Sequence, residues 1–116
     1  MNKMHFYSDL HTLLSKILNW LRTNKIEPGF DLDTEWLNIK QKNNLADRNN
    51  FPNLLYSYLD ILCDAKEHNF KLVNKDYTYM QAIADLEFIC NLIESNEISA
   101  LENDLVLQKR LLQAAK

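Results

Sequence analysis

Hydrophobic residues recur along most of this chain at the three- and four-residue spacing of a helix face. Leu10, Leu13, Leu14, Ile17, Leu18 and Leu21 fall at i, i+3, i+4, i+7, i+8 and i+11, which predicts a first helix over about 8–24, with Ser8 as its N-cap and Asn24 near its exit. Ile26-Glu27-Pro28-Gly29 breaks the pattern. Asp31, Asp33 and Glu35 then crowd the start of a short second helix over about 33–42, where the helix dipole favours negative charge. Its usable face is Trp36 and Leu37 with Ile39 and Lys40. A polar, asparagine-rich stretch from Asn43 to Asn50 reads as a loop ending at Phe51-Pro52, because proline is tolerated in the first helical turn.

The third helix is expected over about 52–68, with Leu54, Leu55, Tyr58, Ile61, Leu62 and Ala65 as a broad apolar face. After the connection Phe70 to Asn74, in which Asn74 is a candidate cap, Tyr79, Ile83, Leu86, Cys90 and Ile93 keep a 4-3-4-3 rhythm with Met80 on its flank. That places a fourth helix over roughly 75–94. Ser99-Ala-Leu-Glu102 has the S-x-x-E form of a capping box. Leu101, Leu105 and Leu112, with Val106, continue a face behind it and predict a fifth helix over about 100–114. The reading is all-α: a single-domain bundle of about five helices.

Composition agrees. A chain of 116 residues, 47% hydrophobic and 25% charged, is long enough for one domain with a continuous core and too apolar for disorder. One glycine and two prolines argue against a β-rich fold, which needs glycine for hairpin turns and bulges. No apolar stretch has the length of a leader or of a membrane span. Cys63 and Cys90 lie within helical patterns and form no C-x-x-C, which fits buried thiols in a reducing cytoplasm. The expected location is cytoplasmic.

Charge changes the picture more. Between Asp76 and Gln108 stand seven acids (Asp76, Asp85, Glu87, Glu94, Glu97, Glu102, Asp104) and no lysine or arginine. Residues 1–75 hold ten Lys/Arg against nine Asp/Glu, and the last eight add three more cations. A one-signed field over helical sequence attracts a basic partner and disfavours direct binding of nucleic acid, which calls for a basic stripe. A second acidic row is Asp60 and Asp64, with Glu67 close by, on one face of the third helix.

Catalytic and metal chemistry find little purchase. Asp31-Leu-Asp33-Thr-Glu35 begins like a calcium loop, but Trp36 stands where the turn needs glycine and Lys42 where a bidentate glutamate belongs. Helix capping and first-turn charge explain those acids better. Asp60, Asp64 and His68 fall at i, i+4 and i+8, yet no second ligand cluster completes a metal site. Cys63 and His68 are five residues apart and point to different helix faces. Arg22 and Arg48 are followed five residues on by Glu27 and Asn53, not by the histidine of a small helical RNase. No P-loop, dinucleotide fingerprint or nucleophile elbow is present. The expectation is a non-enzyme with no cofactor and no metal. Trp20, Trp36, Tyr56, Tyr58, Tyr77 and Tyr79 suit either interface anchors or ordinary core positions.

The segment Leu54-Leu-Tyr-Ser-Tyr-Leu-Asp60-Ile-Leu-Cys-Asp64, followed by Tyr77 and Ile83, resembles the central helix pair of bacterial immunity proteins of polymorphic toxins, the MafI and contact-dependent growth inhibition type. The resemblance spans about thirty residues and implies a cytoplasmic, mostly helical protein that binds one cognate toxin, often a basic nuclease, and blocks its active site. It carries no contact residues over. The expected partner surface is therefore drawn from charge: Asp85, Glu87, Glu94, Glu97, Glu102 and Asp104 first, Asp60, Asp64 and Glu67 second. The competing expectation is a helical adaptor or subunit, including a homodimer, that pairs through the 4-3 seam of the fourth helix.

Overall fold

A computed structural model describes residues 3–43, 50–69, 72 and 76–114. Six α-helices form there: α1 (Lys3–Thr23), α2 (Leu32–Asn43), α3 (Asn50–Glu67), α4 (Tyr79–Glu94), α5 (Ile98–Glu102) and α6 (Leu105–Gln113). No strand occurs among the described residues. Of the asparagine-rich stretch expected as a loop, Asn43 ends α2 and Asn50 begins α3, while 44–49 lie outside the described residues, as does the proposed cap Asn74. The fourth helix starts later than the expected 75: residues 76–78 are not helical, and Thr78 caps a helix that begins at Tyr79.

The apolar stripe of α1 explains the architecture. Leu10, Leu13, Leu14, Ile17 and Leu18 are all buried, and α1 packs most extensively on α4 and next on α2. α3 closes the other side against α6 and α2, and the short α5 sits on α4. One buried cluster runs through all six helices. The radius of gyration of 13.6 Å matches the roughly 13 Å expected of a packed chain of this length.

α1 starts five residues earlier than the leucines predict. Phe6 and Tyr7 are each 1% exposed and stand one turn before Leu10, on the same face, so burial carries the helix back past Ser8, which is helical and not an N-cap. The actual caps are others. Asp31 accepts from the Thr34 N–H at 3.0 Å ahead of α2, and Thr78 accepts from the Gln81 N–H ahead of α4.

Asparagine does the work at the helix exits that glycine does in most proteins. Asn24, Asn69 and Asn96 have φ of 60°, 57° and 58°, the left-handed conformation that asparagine tolerates better than other residues with a Cβ. After α4 the Asn96 N–H donates to Ile93 O at 3.0 Å and the Glu97 N–H to Leu92 O at 2.8 Å, which is a complete Schellman motif. Gly29, with φ of 81°, is kept for the turn between α1 and α2.

The predicted fifth helix is two helices. Asn103 and Asp104 interrupt it, and the Asp104 carboxylate accepts from the Leu107 N–H at 2.9 Å, capping α6 afresh. Ser99 lies inside α5, whose cap position, Glu97, makes no side-chain capping bond, so the capping box does not form. The restart also moves the buried face. Leu107 and Leu111 are buried, whereas Leu105 is 73%, Val106 63% and Leu112 47% exposed. Of the face expected for α2, Trp36 and Ile39 are buried, whereas Leu37 is likewise exposed. Leu105→Ala and Val106→Ala are therefore expected to shift stability by no more than about 0.5 kcal/mol, the range of surface substitutions, as urea unfolding of each variant will report.

Candidate functional site

The two acidic sets meet different fates. In the C-terminal set Asp85 is 3% exposed, which removes it from any docking surface. Its Oδ1 accepts from Arg110 Nε at 2.7 Å and its Oδ2 from the Tyr77 hydroxyl at 2.8 Å. Because Tyr77 spends its only proton on Asp85, the Tyr58 hydroxyl, 2.8 Å away, donates to Tyr77. This buried relay joins α3, the turn before α4, α4 itself and α6, and burial pushes both tyrosines well above their ordinary range.

Most other acids of this set are engaged by α1 or by backbone. Glu87 pairs with Arg22, Glu94 Oε2 lies 2.9 Å from His11 Nε2, and the half-buried Glu102 accepts from the Tyr7 hydroxyl at 2.6 Å. Asp104 is the cap of α6. Glu97 is exposed at the start of α5. The window that is one-signed in sequence is thus answered in space by cations and donors drawn from α1 and α6.

The second set gains members. Asp60, Asp64 and Glu67, all exposed on α3, face the turn between α1 and α2 across a groove of about 370 Å³. That turn and the start of α2 contribute Glu27, Asp31 and Asp33 to the opposite bank, and no lysine or arginine lines the groove. Its apolar lining includes Trp20, Ile26, Phe30, Leu32 and Cys63. The Trp20 and Phe30 rings meet edge to face at 6.1 Å. Lys66, the nearest cation of α3, is held by Asn24 and lies 5.7 Å from the Tyr79 ring centroid.

The six carboxylates are unequally committed. Glu27 pairs with Lys16 at 3.0 Å, and Lys16 also holds Glu35 at 2.8 Å, two bonds that raise the lysine's pKa. Asp64 lies 3.2 Å from His68 Nδ1. Asp33 accepts from the Tyr56 hydroxyl, chiefly by which that phenol is pushed up to about 12. Asp60 and Glu67 have no ion pair or hydrogen bond among the described residues.

Asp31 carries a pH consequence. The Thr34 hydroxyl and N–H donate to it at 2.6 and 3.0 Å and hold its carboxyl below the usual range, the hydroxyl contributing most. A depressed carboxyl stabilises the fold above the unfolded pKa of about 3.9 and loses that contribution as pH falls through the folded value. Asp31→Asn is expected to flatten the stability profile below about pH 4, measured by urea midpoints across pH.

No group of three or more His, Cys, Asp or Glu among the described residues is placed to hold a metal ion. Cys63 and Cys90 are free and buried, and burial pushes the thiols up to about 12 and about 11, far from a reactive thiolate. Of the aromatic residues, Trp36, Tyr58 and Tyr77 are core, and Trp20, Tyr56 and Tyr79 are half-buried against it. No helix of the described residues is long and apolar enough to cross a membrane.

Sequence reasoning placed the α3 row on one face but missed its partners on the facing bank. Asp31 and Asp33 were legible only as helix-start charge, and Glu27 carried no signal beyond its place before Pro28-Gly29. No protein-family model, curated protein or solved structure matches the chain.

Proposed function

We propose that the chain is a non-enzymatic binding protein of the immunity type, which neutralises a cognate basic toxin or nuclease in the cytoplasm by covering its active site with an acidic helical surface. The observation that supports this is the groove between the α1–α2 turn and α3, where six carboxylates, of which only Glu27 is paired with a lysine among the described residues, stand about apolar side chains and no lysine or arginine lines the site. Carboxylates presented in this way imitate the phosphates that a nuclease site is built to receive, and opposite potentials speed encounter. The leading surface thereby moves from α4–α6 to α3 and the turn facing it, with Glu94 and Glu97 at a second exposed position.

Capture of a basic protein from the native cells by the tagged chain at low salt, and its release at high salt, is the test. Once that partner is in hand, Asp60→Asn/Glu67→Gln is expected to slow association about three- to tenfold at low salt, within the range of electrostatic steering. Stopped-flow association rates measured against ionic strength check this, and the difference should vanish at high salt.

The competing reading, an adaptor or subunit of a larger assembly, draws support from a different place than expected. The seam of α4 is used inside the chain, since Leu86, Cys90 and Ile93 are buried. The exposed Leu105, Val106 and Leu112 of α6 are what would carry self-association. Sedimentation showing a salt-insensitive dimer at micromolar concentration would favour it.

A further inference from the structure

We propose that the groove between the α1–α2 turn and α3 seats one arginine side chain presented by the partner. The inference rests on the binding reading above and goes further by naming the group that fills the site. Size is the first consideration: about 370 Å³ lies at the small end of ligand sites, which run from about 300 to 1,000 Å³. That is room for a side chain and some water, and too little for a helix.

The lining then selects among cations. Trp20, Ile26 and Phe30 are half-buried and furnish apolar and aromatic surface between two banks of carboxylates. An ammonium is compact and strongly hydrated, so a lysine gains little from such a floor. A guanidinium is planar, weakly hydrated and stacks on aromatic rings, while its donors fork toward carboxylates in its own plane. Asp60 and Glu67 keep all their acceptor sites, having no ion pair or hydrogen bond among the described residues. On the facing bank Asp33 and Asp31 are each tied to a neighbouring donor, which fixes their position and leaves further lone pairs open.

Titration of the ¹⁵N-labelled full chain with acetyl-Gly-Arg-Gly-amide, and in parallel with its lysine counterpart, tests the assignment at low ionic strength. The arginine peptide is expected to shift the Trp20 indole N–H and the amides of 26–33 and 60–67 saturably, with a Kd at least about threefold below that of the lysine peptide. Asp60→Asn/Glu67→Gln should raise the arginine Kd about tenfold, and Asp76→Asn, at an exposed acid away from the groove, should leave it unchanged. Both changes are at exposed positions, and a thermal melt of each variant confirms that it is folded. Equal affinity for the two peptides, shifts spread evenly over every exposed acid, or no shift at Trp20 would overturn the proposal. A groove indifferent to arginine in a chain that still captures a basic protein sinks only the arginine seat. A groove that takes arginine in a chain that captures no basic protein sinks only the inhibitor reading.

Discussion

Arg110→Met is expected to destabilise the fold by about 3–5 kcal/mol, the range measured when one partner of a buried ion pair is removed. The asymmetry of the pair sets this. Asp85 is 5% exposed at its side chain and Arg110 31%, so loss of the arginine strands the more buried charge with a single phenol donor, that of Tyr77. Loss of the aspartate is milder, because the arginine side chain already reaches water. The double variant Asp85→Leu/Arg110→Met should recover most of the deficit, since replacing both members of a buried pair by apolar groups is often close to neutral. Urea unfolding of the two single variants and the double variant gives the coupling directly. Losses that simply add would show that the pair is not a unit.

That relay also marks how far a sequence of this kind can be read. The helix faces were legible because burial repeats every three or four residues, as in Leu10, Leu14 and Ile17. Asp85 was counted with the surface acids because nothing local distinguishes it from Glu87. Its partners stand eight residues before and 25 after it, and the pairing exists only once α6 folds back. The run Leu101, Leu105, Leu112 misled for a local reason: Asn103 and Asp104 both bond readily to nearby backbone and favour caps over helix interiors. Two such residues in succession are a stop and a restart, and the restart rotates the apolar face onto Leu107 and Leu111. The groove was half-visible, since its α3 bank is one helix face and can be inferred from spacing, while its other bank is set by where the Pro28-Gly29 turn lays the chain.

Leu14→Ala is expected to cost about 3–5 kcal/mol, the upper part of the range for a buried leucine. Leu14 is 0% exposed and sits at the middle of α1, the helix that packs on both α4 and α2. Its surroundings are fixed by three helices at once and have little freedom to collapse into the void. Ile17→Val, one turn further on, removes a single methyl and should cost about 0.5–1.5 kcal/mol, while Leu21→Ala, at a half-buried position near the helix exit, should cost less than Leu14→Ala. Since a domain of this size is stable by about 5–15 kcal/mol, the Leu14 variant should unfold at a markedly lower urea midpoint with an unchanged slope. The effect reaches the groove as well. Trp20 lies on α1 less than two turns beyond Leu14, and the turn that carries Glu27 begins where α1 ends. An α1 that has loosened against α4 also loosens the floor and one bank of the site, so tryptophan fluorescence should report the weakened packing before global unfolding does. If the spectrum stays native up to a single cooperative transition, α1 and the groove unfold only with the whole domain, and the site is as rigid as the core beneath it.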